Sequence, residues 1–117
     1  WDEPDRQVDA LFTGFWLSHV TRERLTDFLG LARRWLRPGG TFAFIDSLPD
    51  PMSGAADQGA WAAPEIAIRR LADGREFRIP KIHYRPAELE RAILESGFER
   101  ADVGTSGRFF ILGSARA

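Results

Sequence analysis

The sequence predicts an α/β domain: a small parallel sheet flanked by helices, closing with an antiparallel hairpin. Three observations carry this. Residues 8–16 (VDALFTGFW) and 41–46 (TFAFID) are apolar at nearly every position, as strands covered on both faces are. A single amphipathic helical stretch separates them, giving the strand–helix–strand order of a parallel pair. Near the end of the chain, apolar stretches flank Gly104-Thr105-Ser106-Gly107, a tight hairpin connection.

Each element has its own local reason. Residues 1–7 are polar around Pro4 and read as a loop. The first strand should end near Gly14, because glycine weakens a strand interior. Thr21 is the expected N-cap of the first helix. Leu25, Phe28, Leu29, Ala32, Trp35 and Leu36 form its apolar stripe, and Arg33, Arg34 and Arg37 are placed in its last turn, where cations suit the helix dipole. Pro38-Gly39-Gly40 stops it. A second strand over 41–46 leads into a long loop, 47–63, with a helical turn around 57–62.

Residues 66–71 and 75–82 flank Ala72-Asp73-Gly74, which predicts a β-hairpin; a helix over 64–72 is the rival reading. Pro86 opens a second helix through Ser96, with Gly97 as its stop. Strands over 98–103 and 108–112 finish the chain.

Composition excludes several classes of function. Among 117 residues the net charge is −1, with no basic footprint for nucleic acid. There is no cysteine, hence no disulfide and no thiolate metal site, which is compatible with a cytoplasmic protein. No apolar run approaches the roughly 20 residues that span a bilayer, so no membrane partner is expected. His19 and His83 are the only histidines and lack metal-ligand spacing; no metal is expected. Trp1 opens the chain and the only methionine is Met52, so part of a longer protein is expected.

The element order and several local sequences resemble the class I S-adenosylmethionine-dependent methyltransferases. The run Val8-Asp9-Ala10-Leu11 through His19-Val20 is similar to the family's fourth strand and the segment after it. Leu36-Arg37-Pro38-Gly39-Gly40-Thr41 through Ile45-Asp46 resembles the turn into the fifth strand. Leu89 through Gly97-Phe98, then Arg108-Phe109-Phe110, resembles the last helix and the closing hairpin, whose final strand is antiparallel.

The resemblance implies a partial Rossmann-like sheet, with strands equivalent to the fourth to seventh of the family. Residues 1–117 would be the C-terminal portion of a single methyltransferase domain, and 64–84 a hairpin insertion near the acceptor site. The implied cofactor is S-adenosyl-L-methionine and the implied reaction is methyl transfer to a small-molecule acceptor. The glycine-rich loop that should hold the cofactor is missing: the one glycine pair, Gly39-Gly40, follows a helix and precedes a strand. The isolated chain is therefore expected to be inactive. The apolar edge from Val8 to Trp16 should be covered by the missing N-terminal half or by a second copy in a homodimer. A non-catalytic half-domain using that edge to oligomerise or bind a partner is the alternative. Another doubly wound α/β enzyme is a weaker one, disfavoured by the antiparallel closure.

Site candidates follow from the carboxyl edge of the sheet, where open α/β folds bind ligands. His19 is the candidate base, or a residue that caps the next helix. Phe15 and Trp16 are candidates for the cofactor's sulfonium, or core residues. Asp46 ends its strand at that edge and either contacts the acceptor or makes a turn. Asp9, at the other end, reads as structural. Arg70, Lys81 and Tyr84, with Arg75 and His83 nearby, lie on or beside the hairpin; they would admit an anionic small molecule or form a solvated face.

Overall fold

A computed structural model describes residues 1–48, 61–63 and 66–117. Among the described residues, seven strands and two helices follow in the order β1 (Val8–Gly14), α1 (Arg22–Trp35), β2 (Leu36–Ser47), β3 (Trp61–Ala63), β4 (Ile66–Arg70), β5 (Glu76–Pro80), α2 (Pro86–Glu95), β6 (Arg100–Ser106) and β7 (Phe110–Arg116). A short 3-10 turn, Leu17–His19, lies between β1 and α1. The main sheet has the order β1-β2-β7-β6; β3, β4 and β5 form a second, antiparallel sheet. Strands β1 and β2 are parallel, and β7 runs antiparallel to both β2 and β6. The α/β class and the antiparallel closure are as expected.

Register separates the two faces of the main sheet. Phe42 pairs with Ala115, Phe44 with Gly113 and Asp46 with Ile111, and these residues turn toward the helices. Leu25, Leu29 and Ala32 of α1 and Leu89 and Ile93 of α2 meet them in one core with Leu36, Tyr84 and Phe98. On the opposite face Phe12 pairs with Ala43, and Ile45 with Leu112. Phe12 is 65% exposed and Leu112 40%. Among the described residues no element covers that face, and β1 is a sheet edge.

Several boundaries move. Helix α1 ends at Trp35, and Leu36 is already extended at φ −92°, ψ 140°. Arg37 therefore lies outside the last helical turn and pairs instead with Asp9 at 2.7 Å. The residue before a proline avoids the helical region, so Pro38 ends the helix earlier than a glycine stop would. The parallel pairing jumps from Val8–Leu36 to Ala10–Thr41, leaving residues 37–40 as a bulge. A Cβ at Gly40 would sit 2.9 Å from the carbonyls of both Asp9 and Arg37, so glycine is required there. Thr21 occupies the N-cap position of α1, but its side chain makes no capping bond.

The closing hairpin turns later than expected. Gly104, Thr105 and Ser106 pair with Leu112, Ile111 and Phe110, and the turn is Gly107-Arg108-Phe109. Pairing on the central strand β7 overrides the turn propensity of Gly-Thr-Ser. The hairpin of β4 and β5 forms as the Asp-Gly step predicts, Ile66 to Arg70 pairing with Pro80 to Glu76. The rival helix over 64–72 is absent where described: 66–70 is strand. Of the helical turn around 57–62, residues 57–60 lie outside the described residues and 61–62 are strand. Helix α2 starts at Pro86 as expected, and Ser96 caps its end by donating to the Ala92 carbonyl at 2.8 Å.

Candidate functional site

The carboxyl ends of the parallel pair β1 and β2 carry the site. At the end of β1, Phe15 adopts φ +55°, a left-handed conformation that is rare for an aromatic residue. Its N–H donates to the Ile45 carbonyl at 2.8 Å, so it is held to β2 as the chain turns out of the sheet. Its half-exposed ring packs edge-on against Phe110, centroids 6.1 Å apart. Trp16 packs edge-on against Phe28 and Trp1.

The turn that follows is anchored from two sides. Asp46, 4% exposed at the end of β2, accepts the Ser18 N–H on Oδ2 at 2.8 Å and the Ser47 N–H on Oδ1 at 2.7 Å. From the other side comes the segment leaving β5. The Ile82 N–H donates to the Ser18 carbonyl at 2.7 Å. The Lys81 ammonium donates to Ser18 Oγ at 3.1 Å and lies 3.8 Å from Asp46 Oδ1. Lys81 is the chain's only lysine, and it is buried. A buried ammonium needs a counter-charge, and Asp46 supplies one.

His19 sits in this turn, half-buried, with Nδ1 2.7 Å from the Pro80 carbonyl. A carbonyl only accepts, so Nδ1 donates; the neutral ring then carries its lone pair on Nε2. His83 belongs to the same neighbourhood. Burial holds its pKa below the ordinary histidine value; Lys81 adds to that shift and Asp46 opposes it.

No family model matches this chain, and no curated protein matches it in sequence. Solved structures do. The DhpI–SAH complex is 32% identical with a TM-score of 0.76, the match covering 97% of this chain and 49% of that chain. The DhpI–SAM–HEP complex is 33% identical with a TM-score of 0.80, covering 98% of this chain and 53% of that one. An S-adenosylmethionine-dependent methyltransferase from Mesorhizobium loti is 18% identical with a TM-score of 0.63, covering all of this chain and 65% of that one.

The chain carries the class I S-adenosylmethionine-dependent methyltransferase fold. It spans about half the length of the DhpI chain. The methyltransferase sheet accounts for the order β1-β2-β7-β6: these are its fourth, fifth, seventh and sixth strands, the last strand inserted antiparallel between two others.

Within this fold, the residues singled out from the sequence divide. His19, Asp46 and Lys81 meet in one cluster around Ser18. Phe15 and Trp16 lie just before it, at the end of β1. Arg70 does not join them: it is exposed and ion-paired with Glu76 on the hairpin. Tyr84 does not either, because it is buried in the core with its hydroxyl donating to the Val20 carbonyl. Gly39-Gly40 lies at the other end of the sheet, where Gly39 N–H bonds the Ala117 carbonyl. Sequence reasoning missed Ser18 and the Pro80 carbonyl. A serine beside His19 was the one available signal, and a main-chain acceptor leaves none.

Proposed function

We propose that the protein containing this chain transfers a methyl group from S-adenosyl-L-methionine to a small-molecule acceptor. The observation that carries this is the likeness to DhpI, 32–33% identical over nearly the whole of this chain and solved with SAH and with SAM. Phe15 and Trp16 fit the cofactor's end of the site: both rings are partly exposed beside the carboxyl edge, and aromatic faces attract a sulfonium. When bound, S-adenosylmethionine supplies an electrophilic methyl carbon on a positively charged sulfur.

The chain's own residues act on the acceptor. His19 takes the proton from the acceptor's oxygen or nitrogen on Nε2, the nitrogen left basic by the Pro80 contact. Lys81 brings a cation to this end, which favours an acceptor bearing an anionic group. Asp46 balances that charge in its absence. Of the hairpin insertion, residues 66–84 form the wall on the acceptor side, since the segment after β5 is bonded to the turn carrying His19. Most of the catalytic work is alignment for in-line attack. Arg70 and Tyr84 serve the hairpin and the core rather than the acceptor.

Residues 1–117 are the C-terminal portion of the domain. The uncovered sheet face and the β1 edge, with Phe12 65% exposed, receive the N-terminal half. The same observation favours one other reading: a non-catalytic half-domain that pairs with a second copy through β1. Two measurements separate them. Calorimetric titration with S-adenosylhomocysteine should show micromolar binding by the full-length protein and none by the 117-residue chain. Sedimentation of the chain tests the second copy. Failure of the full-length protein to bind S-adenosylhomocysteine would refute methyl transfer.

A further inference from the structure

His19 is clamped by two segments distant in sequence. The 3-10 turn that carries it is fixed at Ser18, whose N–H is bound by Asp46 Oδ2. Its imidazole is fixed at Nδ1 by the carbonyl of Pro80, at the end of β5. The two segments are themselves joined: Ile82 N–H bonds the Ser18 carbonyl, and Lys81 bridges Ser18 Oγ and the Asp46 carboxylate. Asp46 touches both halves of the clamp, the Ser18 N–H on one side and the Lys81 ammonium on the other. Its carboxylate is nearly enclosed, 4% exposed, with one oxygen on the Ser18 N–H and the other on the Ser47 N–H and toward Lys81.

We propose that Asp46 is a positioning residue that, directly and through Lys81, holds the Leu17–His19 turn against the Pro80 carbonyl and so keeps the His19 proton on Nδ1 and its lone pair on Nε2. This rests on the assignment of His19 as the proton acceptor, and it moves Asp46 from acceptor contact to support of the base. The physical reason is tautomeric. Free histidine favours the proton on Nε2, the form that has no lone pair to offer there. Only a well-placed acceptor at Nδ1 reverses the preference, and the Pro80 carbonyl is well placed only while β5 stays joined to the turn. A carboxylate suits the task because it accepts from two backbone N–H groups while neutralising an ammonium; an amide would turn a donor toward one of them.

The test reads the tautomer directly, in the 117-residue chain and without cofactor. Long-range proton–nitrogen spectra of histidine-labelled protein, recorded on the neutral imidazole, give the populations of the two neutral forms. The wild-type chain is expected to hold His19 in the Nδ1–H form; an Nε2–H majority overturns the proposal. Asp46→Asn and Lys81→Met are each expected to raise the Nε2–H to Nδ1–H ratio about tenfold, the effect of losing one ordinary hydrogen bond. Should Asp46→Asn fail to fold, Lys81→Met decides, since it keeps the carboxylate and its backbone partners. A folded variant with the wild-type ratio overturns the proposal. So does an equal shift in Arg100→Ala, on the edge strand β6, because that would be general loosening. In the full-length protein, Asp46→Asn with the altered tautomer should lose kcat while KM holds. A tautomer that responds as stated in a protein without methyl transfer would leave the clamp standing and remove the assigned function alone.

Discussion

Replacing Gly113 by alanine tests the packing at the centre of the sheet. Gly113 lies on β7 between Phe44 of β2 and Val103 of β6. An added Cβ would come 2.5 Å from the Asp102 carbonyl oxygen and 2.7 Å from Phe44 Cζ. Neither obstacle moves easily. The first is backbone in a paired strand, and the second is a ring 2% exposed and packed on Phe42, centroids 5.5 Å apart. Overpacking of this kind costs about 3 kcal/mol. Alanine recovers about 0.5–1 kcal/mol by restricting the unfolded chain. The net loss is about 2 kcal/mol, or a fall in Tm of about 8 °C for a domain of this size. Urea unfolding followed by circular dichroism measures it. Gly104→Ala is the matched control: it lies on the same hairpin with nothing within 4 Å of an added Cβ. It should be neutral or slightly stabilising. Equal effects at the two glycines, or a Gly113→Ala loss below about 0.5 kcal/mol, would refute the steric reasoning.

Three further outcomes are expected. Phe15→Gly should be more stable than Phe15→Ala by about 1 kcal/mol, because both lose the ring but only glycine relaxes the left-handed backbone; equal stabilities would show that the backbone rearranges. Tyr84 is the only tyrosine, and burial pushes its pKa up to about 12, so absorbance titration should find its ionisation well above 10, with stability falling as pH rises from the unfolded value toward the folded one; a midpoint near 10 would contradict its burial. His83 has a folded pKa below its unfolded 6.5, so the unfolded chain binds the extra proton, and this contribution to stability is lost as pH falls through 6.5 toward the folded value. His83→Gln should flatten that part of the stability curve, and an unchanged slope would assign it to other groups.

The sequence alone determined the α/β class and the strand–helix–strand opening, and it favoured the β4–β5 hairpin over a rival helix. These rest on local causes: continuous apolar runs, a 3.6-residue stripe, and an Asp-Gly turn between alternating strands. It also put His19 and Asp46 at strand ends on the carboxyl edge, because strand direction follows from parallel pairing. Only the tertiary structure decided where strands stop and what meets at the site. Gly104-Thr105-Ser106 has turn composition, yet β7 draws it into the sheet. Arg70 and Lys81 looked equivalent as hairpin cations, yet one is solvated beside Glu76 and the other buried against Asp46. Tyr84 reads as a site residue beside the hairpin, but its ring completes the core. The difference is one of range: propensity and periodicity act over a few residues, whereas Ser18 meets Lys81 across 63 positions and His19 meets Pro80 across 61. Contacts that distant leave no period in the sequence; they exist only once the chain has folded back on itself.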